Sequence, residues 1–237
     1  MKLLRRHYCI KESSGEIICD STVGLETALT SIAYHRECLE NYVRRNLVFK
    51  YALSPIGAED DAPLVVKRMV ECSKIANVGP MASVAGVLAD LAVEAALKSG
   101  ARIILVENGG EIAVAGSGEF VIGIRAGSII PFGLKVKPCD LPIGIATSSG
   151  RYGHALSFGE ADAVTVIADN AGLADAAATA ICNATRGEDA IERGIERAME
   201  IKEIRGVIIV VGDLIGIYGR LPELIEVNCD HLNAKTL

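Results

Sequence analysis

The 237-residue chain contains no tryptophan, and aromatic residues make up only 4% of it. That scarcity argues against a stacking platform for single-stranded nucleic acid, where rings carry much of the binding. Positive charge is also short. Lys and Arg number 24 against 30 Asp and Glu, a formal net charge of −6, so there is no basic footprint for a phosphate backbone. The seven cysteines (Cys9, Cys19, Cys38, Cys72, Cys139, Cys182 and Cys229) include no CxxC and no zinc-like spacing. Such an odd, dispersed set reads as reduced, mostly buried thiols. The first residues lack the apolar stretch of a signal peptide. The most apolar segments are interrupted, one by Asp90 and Glu94 and another by Asp213, and fall short of the roughly 20 residues of a membrane span. Together these absences predict a cytoplasmic protein that binds neither nucleic acid nor membrane. There is likewise no Walker A loop, no GxGxxG after a strand, no GxSxG and no HExxH.

What is present is an aliphatic core. Half of the residues are apolar, and without many rings the interior must be built from Val, Ile, Leu and Ala. Residues 1–22 read as a hairpin turning at Ser13-Ser14-Gly15. A long helix follows from Gly24 to about Asn46, with Leu25, Leu29, Ile32 and Leu39 near helical spacing. Another starts near Asp61-Ala62-Pro63 and a third covers 81–98, ending at Ser99-Gly100. Residues 102–116 form two strands around Asn-Gly-Gly. The second half has strand-like segments at 119–125, 128–136, 142–148 and 162–168. Helices at 172–185 and 188–202 follow, then strands at 206–211 and 214–218.

The closing hairpins of the two halves align, which predicts two approximate repeats, 1–117 and 118–237, within one domain spanning 1–237. Hairpins with helices grouped between them favour an α+β fold of antiparallel sheets packed by helices. The apolar, small-residue composition suits a dimer or another homo-oligomer.

Four segments carry possible chemistry. In Gly172-Leu-Ala-Asp-Ala-Ala-Ala-Thr-Ala-Ile181, Asp175 and Thr179 stand four apart, so carboxylate and hydroxyl share one helix face. Two hard oxygen ligands suit Mg²⁺, and free amides at the helix start could hold a phosphate. The same residues would also serve the helix dipole and a back-bond to a carbonyl. In Val106-Glu-Asn-Gly-Gly-Glu-Ile112, Gly109 and Gly110 after Asn108 permit a tight turn with reachable amides, although a hairpin connection alone explains them. Gly144-Ile-Ala-Thr-Ser-Ser-Gly-Arg-Tyr-Gly-His154 offers the hydroxyls of Thr147, Ser148 and Ser149, with Arg151 for phosphate and His154 for proton movement near neutral pH. In Ala76-Asn-Val-Gly-Pro-Met-Ala-Ser-Val-Ala-Gly86, Gly79 and its small neighbours open a helix, for phosphate approach or for close packing.

Taken in this order, the segments resemble the ApbE superfamily, whose best-known members are FAD- and Mg²⁺-dependent flavin transferases. The matching stretches are Val-Glu-Asn-Gly-Gly-Glu-Ile, Ile-Ala-Thr-Ser-Ser-Gly-Arg-Tyr, and the run from Ala161 to Ala180 containing Gly-Leu-Ala-Asp-Ala-Ala-Ala-Thr-Ala. Val-Gly-Pro-Met-Ala-x-Val-Ala-Gly is similar to a short, uncharacterised prokaryotic branch. The resemblance implies a duplicated T-fold-like unit of ββααββ order, with Asp175 and Thr179 as Mg²⁺ ligands. It further implies an FAD or FMN pocket shaped by Asn108, Gly109, Gly110, Thr147, Ser148, Ser149 and Gly79, with His154 as the candidate proton carrier. In such transferases a Ser or Thr hydroxyl attacks the FAD pyrophosphate, FMN is transferred and AMP leaves.

This chain departs from the pattern in two places. Pro80-Met81-Ala82 stands where the transferases usually have Lys-Gly, and the His-x-x-Asp-Pro insert is collapsed to 152–159. Flavin nucleotide binding is therefore the first expectation, with Mg²⁺-dependent FMN transfer or FAD hydrolysis beyond it. The alternatives are a non-catalytic oligomeric assembly protein that kept the fold, and an enzyme for another phosphate-bearing or pterin-like ligand.

Overall fold

Along β3 (Ile103–Asn108), Ile104 and Val106 turn to one side and Leu105 to the other, and all three are fully buried. A strand that is apolar on both faces needs cover on both. The same holds for β9 (Ile204–Val211), where Val207 and Ile209 join one core cluster and Ile208 and Val210 another.

The computed structural model describes residues 3–124, 132–150 and 159–227. Its centre is an eight-stranded sheet in the order β1-β2-β3-β4-β7-β8-β9-β10, antiparallel throughout. The remaining strands of that sheet are β1 (Leu4–Ile10), β2 (Ser13–Cys19), β4 (Glu111–Gly116), β7 (Ile143–Ser148), β8 (Ala163–Ala168) and β10 (Leu214–Gly219). Helices α1 (Thr22–Arg45), α2 (Leu47–Tyr51), α3 (Leu64–Ala76) and α4 (Val84–Lys98) lie between β2 and β3, and α5 (Ala171–Ala184) and α6 (Ala190–Glu200) between β8 and β9. The helices supply the cover on one face of the sheet.

The other face is covered by a three-stranded sheet of β5 (Phe120–Ile124), β6 (Phe132–Val136) and β11 (Glu223–Glu226), in the order β11-β6-β5. Phe120, Ile122, Ile124, Leu134 and Val136 meet Leu105, Val114, Ile145 and Ile208 of the large sheet there. The fold is thus antiparallel α+β, as the hairpin pattern predicts. The strands expected at 119–125 and 128–136 leave the main sheet, so its second strand–strand–helix–helix–strand–strand series begins at β7. Neither α2 nor β11 is foreseen from sequence.

Local signals place the helices. Ser21 caps α1 by accepting the Gly24 amide at 3.2 Å, and Leu25, Ala28, Ile32 and Leu39 form its buried stripe. Contrary to the sequence expectation, residues 80–98 do have the length and apolarity of a membrane span despite Asp90 and Glu94. In the fold this segment is a short 3₁₀ turn (Pro80–Ser83) followed by α4, whose buried residues pack beneath α1 and beside α5. Gly86 makes that approach possible, because a Cβ there would lie 2.2 Å from the Ala171 carbonyl oxygen.

Candidate functional site

The first turns of α4 and α5 meet side by side at one end of the large sheet. Each helix contributes an aspartate to the other. The Gly86 amide of α4 donates to Asp175 Oδ2 at 3.0 Å. In return, the Ala171 and Gly172 amides of α5 donate to Asp90 Oδ1 and Oδ2, both at 2.8 Å. Asn170 takes the next amide of α5, that of Leu173, at 2.8 Å. The helix start expected to offer free amides to a phosphate is therefore already capped by Asp90 and Asn170, which satisfy the donors a helix leaves unpaired.

From the sheet side, Asn108 closes the site. Its side chain is buried and its Nδ2 donates to the Ala85 carbonyl at 2.9 Å, tying the end of β3 to the start of α4. Glu111 stands opposite Asn108 in the β3–β4 pairing and so shares its helix-facing side. Burial and the neighbouring Asp175 charge hold the Glu111 carboxyl well above the usual range. Burial likewise pushes Asp175 up to about 7, against the pull of the Gly86 and Ala85 amides and with a contribution from the Asp90 charge. Asp90 is pushed up to about 6, again chiefly by burial. Two half-buried carboxylates that repel one another are an arrangement a cation would relieve.

The residues present fit a hard divalent ion. Asp175 and Glu111 offer carboxylate oxygens, and Thr179, one turn along α5 and partly exposed, offers a hydroxyl. Among the described residues no group of three His, Cys, Asp or Glu side chains could hold a metal. Such an ion would complete its shell with water and ligand oxygens, as Mg²⁺ usually does.

The remaining sequence candidates divide. Gly109 and Gly110 form the turn, with φ of 71° and 110°, but their amides are committed. Gly109 donates to the Ser14 carbonyl at 2.9 Å and Gly110 to Glu107 Oε1 at 2.6 Å. Thr147 bonds Thr165 across strands, hydroxyl to hydroxyl at 2.9 Å. By strand alternation it lies on the same face as Ile145, away from the helices, whereas Ser148 shares the helix-facing side with Ala146. Ser149 follows the end of β7 and is partly exposed. Gly79 is buried against the backbone of Ala52, whose carbonyl oxygen would sit 1.7 Å from a Cβ, so its smallness serves packing. Arg151 and His154 lie outside the described residues.

Two acids at the site were not singled out from sequence. Glu111 sits inside the Asn-Gly-Gly-Glu motif, where the glycines drew the attention. Asp90 read only as an interruption of an apolar run, although one carboxylate in an otherwise apolar helix face is itself a signal. Beside the site, a groove of about 590 Å³ runs along the first turn of α4. Leu39, Met81 and Val84 line it together with Lys11, Arg36 and Arg44, whose charges are paired there with Glu12 and Glu40.

This antiparallel α+β fold is shared with solved ApbE proteins. The flavinyl transferase ApbE of Pseudomonas stutzeri superposes with a TM-score of 0.63 at 15% identity, over 92% of this chain and 94% of that one. The ApbE protein of Thermotoga maritima does so with a TM-score of 0.60 at 14% identity, over 98% and 99%. The family described as AbpE bacteria matches residues 16–211, and the chain belongs to it. Among its relatives, a UPF0280 protein of Methanocaldococcus jannaschii is 41% identical over 94% of this chain and 93% of its own length. A UPF0280 protein of Methanosarcina acetivorans is 36% identical over 96% and 91%.

Proposed function

We propose that the chain binds a flavin nucleotide, FAD or FMN, together with Mg²⁺ at the meeting point of α4 and α5. The carrying observation is a pair of half-buried carboxylates: Asp175, which accepts the Gly86 amide and is lifted by burial and by the Asp90 charge, and Glu111, which is lifted by burial and by the Asp175 charge. Asp175, Thr179 and Glu111 would hold the ion, which would supply charge neutralisation for a pyrophosphate. Asn108 fixes the start of α4, and with it the Ala85–Gly86 backbone that Asp175 reads. The groove along α4 is of a size suited to a ring system and has an apolar floor. The sequence resemblance and the names of the structural neighbours favour flavin over other heterocycles.

The reaction we propose beyond binding is FMN transfer or FAD hydrolysis. A Ser or Thr hydroxyl of an acceptor, or a water, would bond to the FMN phosphorus while the bond to AMP breaks and AMP leaves with the electron pair. The hydroxyl proton would pass to a base, for which His154 is the candidate from sequence.

Calorimetric titration of the full chain with FAD, with and without Mg²⁺, tests the binding. Tight, Mg²⁺-enhanced binding is the expected result, and AMP release on adding an acceptor or on standing then tests turnover. No FAD or FMN binding under either condition would overturn the reading in favour of an assembly protein or another ligand.

A further inference from the structure

The two edges of the eight-stranded sheet differ in kind. β1, at one edge, exposes Arg5, Arg6 and His7, the charged protection by which proteins keep an open strand from pairing with another chain. β10, at the other, carries Leu-Ile-Gly-Ile-Tyr-Gly with no charge, no proline and no register break in its pairing with β9. Its large side chains are unusually open: Leu214 66%, Ile215 48%, Ile217 51% and Tyr218 37% exposed. Helix α6 presses on this strand at its middle, where Ile191 and Ile195 sit against Gly216.

We infer that β10 is the interface of a symmetric dimer, pairing antiparallel with β10 of a second copy to make one continuous sixteen-stranded sheet. The strand is self-complementary about Gly216. Centring the two-fold there sets Ile215 opposite Ile217 of the second copy, and Leu214 opposite Tyr218, with the reciprocal pairs on the other side. Each pair joins two apolar, β-favouring side chains, the unit of cross-strand stabilisation. The flanks agree. Asp213 precedes the strand and Arg220 follows it. Neither makes an ion pair among the described residues, and the register brings each within one position of its opposite charge in the second copy. Main-chain bonds along the open edge supply association, while the isoleucines complete an apolar strip that begins in the chain's own core with Ile208 and Val210. This inference is independent of the ligand proposed above.

Sedimentation velocity of the full chain at micromolar concentration tests it. The wild type is expected as a dimer. Ile215→Lys/Ile217→Lys is expected to run as a monomer, since each lysine would face another across the pairing. A monomeric wild type, as would follow if residues 228–237 of the same chain covered the edge, would overturn the inference. So would a dimer that survives both lysines. Should the lysine variant fail to fold, Ile215→Cys/Ile217→Cys is expected to form an intermolecular disulfide under mild oxidation in most of the protein, with the wild type as control. A failure to cross-link above that control also overturns it.

Discussion

Asp90 and Asp175 cap one another's helices. Asp90, seven residues into α4, receives the first two amides of α5, while Asp175, five residues into α5, receives the Gly86 amide of α4. Gly86 and Ala171 each lie four residues before the aspartate of their own helix, so the exchange is reciprocal. The two helix starts are thereby locked in one relative position, and the carboxylate we assign to the cation is held from behind by backbone.

Replacing Asp175 should separate stability from binding. Its folded pKa, raised to about 7, means that the folded state keeps a proton that the unfolded chain releases near 4. The resulting stability is present below that range and is lost as pH rises through about 7. At pH 8 without divalent ions, Asp175→Asn is therefore expected to melt higher than the wild type, by roughly 2–4 °C per kcal/mol of relieved repulsion. It should also lose the Mg²⁺-dependent gain in FAD affinity. Differential scanning calorimetry and titration calorimetry read the two effects.

Asp90 gives a second, narrower pH window. Because its folded pKa is raised to about 6, its protonated form also favours folding between about 4 and 6. Asp90→Asn should flatten the fall in metal-free stability across that window. It should also cost about 1–2 kcal/mol near pH 7, since an amide has one acceptor oxygen for the two amides of α5. Urea unfolding at several pH values measures both.

At Gly86 a methyl group would meet backbone, which cannot swing aside as a flexible side chain could. Gly86→Ala is expected to destabilise by about 1–3 kcal/mol and to weaken FAD binding by moving α4 off Asp175. Gly57→Ala, with nothing within 4 Å of the added Cβ, is the control and should stay within about 0.5 kcal/mol of the wild type.

Asn108 is buried and donates to the Ala85 carbonyl. Asn108→Ala removes that bond, although the carbonyl keeps its partner within α4, and should cost about 0.5–1.5 kcal/mol in chemical denaturation. Asn108→Asp should cost more, because it adds a third carboxylate beside Glu111 and Asp175 and can no longer donate when ionised.

Much of this molecule was legible in its sequence. Aliphatic runs bounded by glycines announce the hairpins, and apolar periodicity announces the helices, because strand and helix signals are local and depend on nearest neighbours. The spacing of Asp175 and Thr179 likewise placed them on one helix face. Other features depended on which distant segments meet. Whether an amide at a helix start is free, as at Gly172, or taken, as it is by Asp90 from 82 residues away, cannot be read from spacing. The face to which Thr147 points depends on what covers each side of β7, and the role of Gly79 on the passage of Ala52. The sequence by itself determined most of the elements, the aliphatic core and the placing of Asp175 and Thr179 on one face of α5. Only the tertiary structure decided that Glu111 and Asp90 join them, that β5 and β6 form a separate cover, and that β10 stands as an open edge, because burial and long-range hydrogen bonding are properties of the packed chain.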